Sequence, residues 1–160
     1  MRTATARQRG WADIRRGTMA GLVGAVTMTV PILAARRLGF LATPPPLEIS
    51  ANVTRRVPVL PRRGQRGFPA VWLGGHLAYG GACGIAYVAV RRHLPASPVL
   101  AGLLFGQAVW ATSYLGVIPA LGLYPGPEDD SRSRLLVMVG AHGVFGVTVA
   151  LVSQALERRR

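Results

Sequence analysis

The charged residues of this chain leave four long stretches without any charge. The 19 arginine and 6 acidic residues lie outside residues 17–35, 67–90, 94–127 and 135–156. Each stretch has at least 19 residues, and a helix that rises about 1.5 Å per residue needs roughly 20 mostly apolar residues to cross a bilayer. The pattern predicts an all-α integral membrane four-helix bundle. Its expected spans are about 17–35, 69–90, 98–123 and 135–156.

The polar segments are too short to form a separate soluble domain. One membrane domain, residues 17–156, is therefore predicted between a basic N-terminus at 1–16 and a basic C-terminus at 157–160, with a Pro-rich loop at 37–68. Within that loop, prolines precede Glu48 and an apolar residue recurs every fourth position from Ile49 to Val57. This pattern fits a short helix on the membrane surface, and it fits a Pro-rich loop with a helical fragment equally well.

The net charge of +13 comes from arginine alone, because the chain has no lysine. The arginines cluster beside the spans, so we assign them to orientation and to contact with anionic lipid, and we expect no nucleic acid partner. Four spans place both termini and the turn at 91–95 on one side, with ten arginines against nine on the other. The other side also carries Glu48, Glu128, Asp129 and Asp130. This distribution favours cytoplasmic termini, and the Arg-, Ala- and Gly-rich composition predicts a multi-pass protein of a bacterial plasma membrane.

Short motifs recur between the two halves of the chain. Residues 20–22 (Ala-Gly-Leu) return at 101–103, and His76-x-x-Tyr79-Gly80 is matched by His142-x-x-Phe145-Gly146. The recurrence predicts a duplicated two-helix hairpin with parallel copies, although chance similarity between Gly-rich spans is the alternative. Glycines at four-residue spacing are expected to allow close helix packing: Gly80 and Gly84, and Gly102 and Gly106.

Six polar or aromatic side chains inside the spans form a candidate intramembrane site: His76, Tyr79, Gln107, Trp110, Tyr114 and His142. Three interpretations remain open. The histidines fix helix packing through hydrogen bonds, or the set lines a proton or small-solute passage, or His76 and His142 hold a haem or metal as a redox centre. The first favours a structural or partner-binding protein, and the second favours a homo-oligomer because four helices enclose little space.

An enzymatic function is not expected. The charge-free stretches contain no Asp or Glu that would act as a third zinc ligand or as a general base. The chain also has no nucleophile with an adjacent base and no phosphate-binding or dinucleotide-binding loop. No cofactor is predicted apart from the haem or metal alternative.

The motifs around these residues resemble the YagU-like family of small bacterial inner-membrane proteins. The resemblance covers about residues 17–156. It rests on the two His motifs and on Gly106-x-x-x-Trp110-x-x-Ser113-Tyr114, followed by Pro119 and Gly122. It implies a helical fold and a location in the inner membrane, and it supplies no catalytic residue.

Overall fold

The computed structural model describes residues 6–126 and 130–159, and no strand occurs among them. Four of its helical segments are long and apolar enough to cross a membrane: Gly10–Arg37, Phe68–His93, Pro98–Ala120 and Arg132–Arg158. The predicted all-α four-helix membrane bundle is therefore confirmed. Four residues used in the charge argument lie outside the described residues: Arg2, Glu128, Asp129 and Arg160.

Six α-helices make up the described chain. They are α1 Ala6–Arg37, α2 Pro45–Arg56, α3 Phe68–Val90, α4 Pro98–Ala111, α5 Ile118–Ala120 and α6 Arg132–Arg158. A 3₁₀ turn at Arg91–His93 prolongs α3, and a π-helical turn at Thr112–Val117 joins α4 to α5. The second helix lies inside the segment that the sequence left as either helix or loop.

Local sequence signals account for several helix ends. The last turn of α1 carries Arg36 and Arg37, and Gly39 then takes a φ of 82°, a left-handed conformation that glycine adopts at low cost. The Ser131 hydroxyl accepts a hydrogen bond from the Arg134 N–H and caps the start of α6. The third span ends at Ala120, three residues before its predicted end, and Gly122 follows with a φ of 60°.

Glycines bring α1 directly against α3. A Cβ added to Gly17 would lie 2.6 Å from the Ile85 Cα, and one added to Gly84 would lie 2.7 Å from the Gly21 Cα. Real Cβ atoms essentially never approach other atoms so closely, so the two backbones touch here without side chains between them. Lipid offers no hydrophobic drive for helix association, and such close packing supplies van der Waals attraction instead.

The second hairpin repeats this contact between α4 and α6. A Cβ on Gly21 would overlap the Gly80 carbonyl oxygen, and a Cβ on Gly102 would lie 2.5 Å from the Gly146 carbonyl oxygen. Gly21 matches Gly102 in the sequence repeat, and Gly80 matches Gly146. Equivalent residues therefore make equivalent contacts, which is the arrangement expected of a duplicated hairpin.

One substitution between the repeats breaks the symmetry of the bundle. Gly24 lies three residues after Gly21, and Phe105 occupies the same place after Gly102. At Gly24 an added Cβ would meet Phe145 at 2.9 Å, so α6 lies tightly on α1. The Phe105 ring instead fills the space between α4 and α3, where it contacts the Tyr87 ring edge-on with centroids 5.2 Å apart. As a result, α3 and α4 are not among the closely packed helix pairs.

The helix α2 covers one end of the bundle. It packs on α3, and its Asn52 side chain donates to the Leu123 carbonyl at 2.8 Å. The Arg56 guanidinium donates to the carbonyl oxygens of Leu121 and Gly122, which follow the last turn of the third span. These bonds satisfy carbonyls that a helix end leaves without partners, and they tie the Pro-rich connection to the bundle.

Candidate functional site

His76 links α3 to α1 inside the bundle. Its Nε2 atom lies 3.2 Å from the Ala25 carbonyl oxygen and 3.5 Å from the Thr29 hydroxyl oxygen. A ring N–H at this position donates to a carbonyl on the neighbouring helix. Because lipid offers no hydrogen-bond partner, such a bond helps fix the position of one helix against the other.

His142 occupies the matching position on α6 but binds differently. Its Nδ1 atom lies 2.8 Å from the Met138 carbonyl oxygen, one turn earlier in the same helix. No hydrogen bond joins the two imidazoles among the described residues, although α3 and α6 contact each other. Each ring instead bonds to a backbone carbonyl.

Tyr79 bridges α3 to the third span. Its hydroxyl lies 2.6 Å from the Ser113 Oγ, and the Ser113 hydroxyl donates to the Val109 carbonyl at 2.7 Å. The Ser113 hydroxyl has one proton and donates it to the Val109 carbonyl. Ser113 therefore accepts a hydrogen bond from the Tyr79 hydroxyl. Tyr79 is 53% exposed, so the ring is not enclosed by the bundle.

Gln107 lies between α4 and α6, where its Nε2 would be 3.6 Å from a Cβ added to Gly143. Its Nε2 donates to the Val139 carbonyl oxygen at 3.0 Å. The bond links the two helices of the second hairpin one turn beyond their glycine contact. It places the carboxamide beside a shallow groove that faces the surrounding membrane.

Trp110 and Tyr114 form a stacked pair in the third span. Their ring centroids are 5.5 Å apart and the ring planes are inclined by 21°. The Trp110 Nε1 is buried and has no hydrogen-bond partner in the described part of the chain. The stack ends in the Tyr114 hydroxyl, which donates to the Asp130 carboxylate at 2.6 Å.

Asp130 is a buried carboxylate that the sequence analysis did not place in the site. Its side chain is 3% exposed, and it forms an ion pair with Arg134 at 3.4 Å. Arg134 also donates to the Tyr124 hydroxyl. We call Tyr114, Tyr124, Asp130 and Arg134 the end network. The spacing of Asp130 and Arg134, four residues apart around the start of α6, was the one signal in the sequence that pointed to it.

With this geometry established, a family model described as a family of unknown function (DUF6789) matches residues 11–160. The chain belongs to this family. The match includes all six candidate residues and the whole end network. No curated protein and no solved structure shows significant similarity to the chain. The family description assigns no activity, so the chemistry of this DUF6789 protein must be argued from its own residues.

The described residues of this DUF6789 chain contain no group of three or more His, Cys, Asp or Glu side chains that could hold a metal ion. A bis-His site would use His76 and His142. The Nε2 of His76 points at the Ala25 carbonyl at 3.2 Å, so ligation through that nitrogen would require the ring to lose its bond to α1. The geometry thus fits packing better than axial ligation.

Tyr124 gives the end network a measurable pH dependence. Burial raises the pKa of Tyr124 from 10.0 to about 12, against the opposing effect of the Arg134 charge. Below pH 10 the phenol is neutral whether the protein is folded or unfolded. As the pH rises from 10 towards 12 only the unfolded chain loses this proton, so the free energy of unfolding should fall across that interval.

The test is an ultraviolet titration of the phenolate in wild type and in Tyr124→Phe. We expect the difference between the two curves to show a tyrosine that ionises near pH 12. A difference curve with its midpoint at the ordinary pKa of 10.0 would contradict the burial of this phenol.

Proposed function

We propose that this protein is a non-enzymatic membrane protein with a structural or partner-binding role. One observation supports the proposal above the others. Of the six candidate side chains, all except Trp110 form a hydrogen bond within the bundle, to a backbone carbonyl, to Ser113 or to Asp130. Polar groups in lipid need partners of this kind, and groups engaged in this way stabilise the packing.

The same proposal places the protein in a bacterial plasma membrane with cytoplasmic termini. The grounds for this location are the motifs that resemble those of YagU-like proteins and the arginine distribution. Exposed arginines at the ends of the spans support contact with anionic lipid. On the side of the termini these include Arg15, Arg92, Arg158 and Arg159, and on the other side Arg36 and Arg37.

A measurement of proton flux distinguishes the structural or partner-binding role from a proton passage. In vesicles reconstituted with wild type, we expect the rate of pH equilibration to match that of protein-free vesicles. His76→Leu combined with His142→Leu should leave that rate unchanged and lower the unfolding temperature, because two hydrogen bonds are lost, one of them between α3 and α1. If the wild type raises the flux several-fold and the double variant abolishes the increase, the structural role is wrong and the passage is supported.

A bis-His redox centre is the second candidate function. The observation in its favour is that the two imidazoles occupy matching positions of the repeat, on the contacting helices α3 and α6. The test is the visible absorption spectrum and the metal content of protein purified from cells supplied with haem and iron. A Soret band that disappears in His142→Ala would support the centre, and a colourless, metal-free protein would exclude it.

A further inference from the structure

A groove opens between α4 and α6 on the outer surface of the bundle. It has a volume of about 520 Å³, and its lining includes Leu103, Gln107, Gly140, Gly143 and Val144. Leu103 and Val144 are each 41% exposed there. Gly140 faces open space, because a Cβ added to it would meet no atom within 4 Å. All five residues lie within the predicted spans, so the groove faces the membrane rather than water.

The first hairpin carries different residues at the positions that match this groove. Leu77 follows His76 where Gly143 follows His142, and Val26 stands five residues after Gly21 where Gln107 stands five residues after Gly102. At these two matching positions the second hairpin therefore has a glycine in place of a leucine and a carboxamide in place of a valine side chain. Both Gly143 and Gln107 line the groove.

The Gln107 carboxamide is incompletely paired. Within the described residues it makes one hydrogen bond, from Nε2 to the Val139 carbonyl. Its oxygen and its second N–H have no partner there. Hydrocarbon cannot pair with either group, and an unpaired amide in lipid is costly. A partner that covers the groove must therefore bring both a donor and an acceptor.

We propose that the groove is the interface through which two copies of this chain associate in the membrane. A twofold axis through the groove would place Gln107 against the same residue of the second copy. A carboxamide carries a donor and an acceptor, so such a pair forms two reciprocal hydrogen bonds. The bare surface at Gly140 lets the two α6 helices approach closely. An acyl chain would fill the groove and leave the carboxamide unpaired.

The proposed dimer rests on the structural role proposed above, with a second copy of this chain as the partner. The first test is oxidative disulfide crosslinking in membranes, in a Cys83→Ala background that removes the single cysteine. Gly140→Cys should yield a covalent dimer of this chain. Gly74→Cys is the matched control, because Gly74 precedes His76 as Gly140 precedes His142 and also faces open space. It should yield none. Adding Gln107→Leu should reduce the Gly140→Cys product about tenfold.

The second test is native mass spectrometry of the full chain in lipid nanodiscs. Wild type should be dimeric, Gly140→Leu should be monomeric, and Gly74→Leu should remain dimeric. A monomeric wild type, a dimer that survives Gly140→Leu, or equal crosslinking at residues 74 and 140 would overturn the proposal. A complex with a different membrane protein and no homodimer would also overturn it. The oligomeric state and the proton flux are measured separately. The dimer can therefore be disproved while the structural role stands, and the structural role can be disproved while the dimer stands.

Discussion

Replacing Gly84 by Leu should be among the most destabilising single changes in this protein. A Cβ at this position would overlap the Gly17 carbonyl oxygen and would lie 2.6 Å from the Gly21 nitrogen. Both contacts are to backbone, which cannot rotate away, so α1 and α3 must separate. We expect the free energy of unfolding to fall by about 3 kcal/mol or more, at the upper end for overpacking.

Two further variants make this experiment specific. Gly146→Leu should cost a similar amount, because its Cβ would lie 2.8 Å from the Gly106 Cα in the second hairpin. Gly75→Leu should cost little, because Gly75 has no atom within 4 Å of an added Cβ and leucine favours a helix more than glycine does. The measurement is unfolding in mixed micelles. Equal losses at residues 75 and 84 would show that backbone contact does not hold α1 to α3.

Asp130→Ala should produce the second large effect. It removes the carboxylate that pairs with Arg134 and accepts from Tyr114, and Arg134 is itself only 22% exposed. An arginine left without its acid in a buried position is strongly unfavourable, and we expect a loss of about 3 kcal/mol. Tyr114→Phe should cost about 2 kcal/mol, the usual value for one hydrogen bond to a charged group.

Glu157 supplies the matched control at the other end of the bundle. It pairs with Arg16 at 2.6 Å, but its own side chain is 62% exposed. Arg16 is itself 10% exposed, and without Glu157 it keeps Asp13 at 3.2 Å as an acidic partner. Glu157→Ala should therefore cost no more than about 1 kcal/mol. Equal losses for Asp130→Ala and Glu157→Ala would indicate that the end network is solvated and carries no special stability.

The sequence predicted the membrane class because charge is costly in lipid and its absence over 19 or more residues is easy to read. The glycine pairs were also predictable, since small residues at four-residue spacing lie on one helix face. The residues that these glycines contact on neighbouring helices were not predictable. That Gly21 meets Gly80, and Gly102 meets Gly146, depends on which helices are neighbours, and the repeat only suggested the pairing.

Features that depend on contacts between distant segments were not readable from the sequence. The sequence around Phe105 does not show that its ring lies between α3 and α4. The difference appears only when Phe105 is compared with Gly24, the much smaller residue at the matching place in the other hairpin. Asp130 lies in a polar loop by sequence, and only the folded structure shows that its carboxylate is buried and accepts a hydrogen bond from Tyr114. The sequence suggests one site with six residues. In the structure these residues form two separate histidine contacts, an exposed tyrosine, a carboxamide beside a groove and an aromatic stack.

The central claim, that the long apolar helices cross the membrane, is tested most directly on α3 by cysteine labelling in intact bacterial cells. In a Cys83→Ala background, Val59→Cys lies in the connection before α3, where Val59 is 88% exposed, and His93→Cys lies in the turn after α3. An impermeant maleimide should label residue 59 in intact cells and residue 93 only after permeabilisation. The reverse pattern would keep the four crossings and invert the orientation. Labelling of both residues from the same side would contradict the four-span bundle.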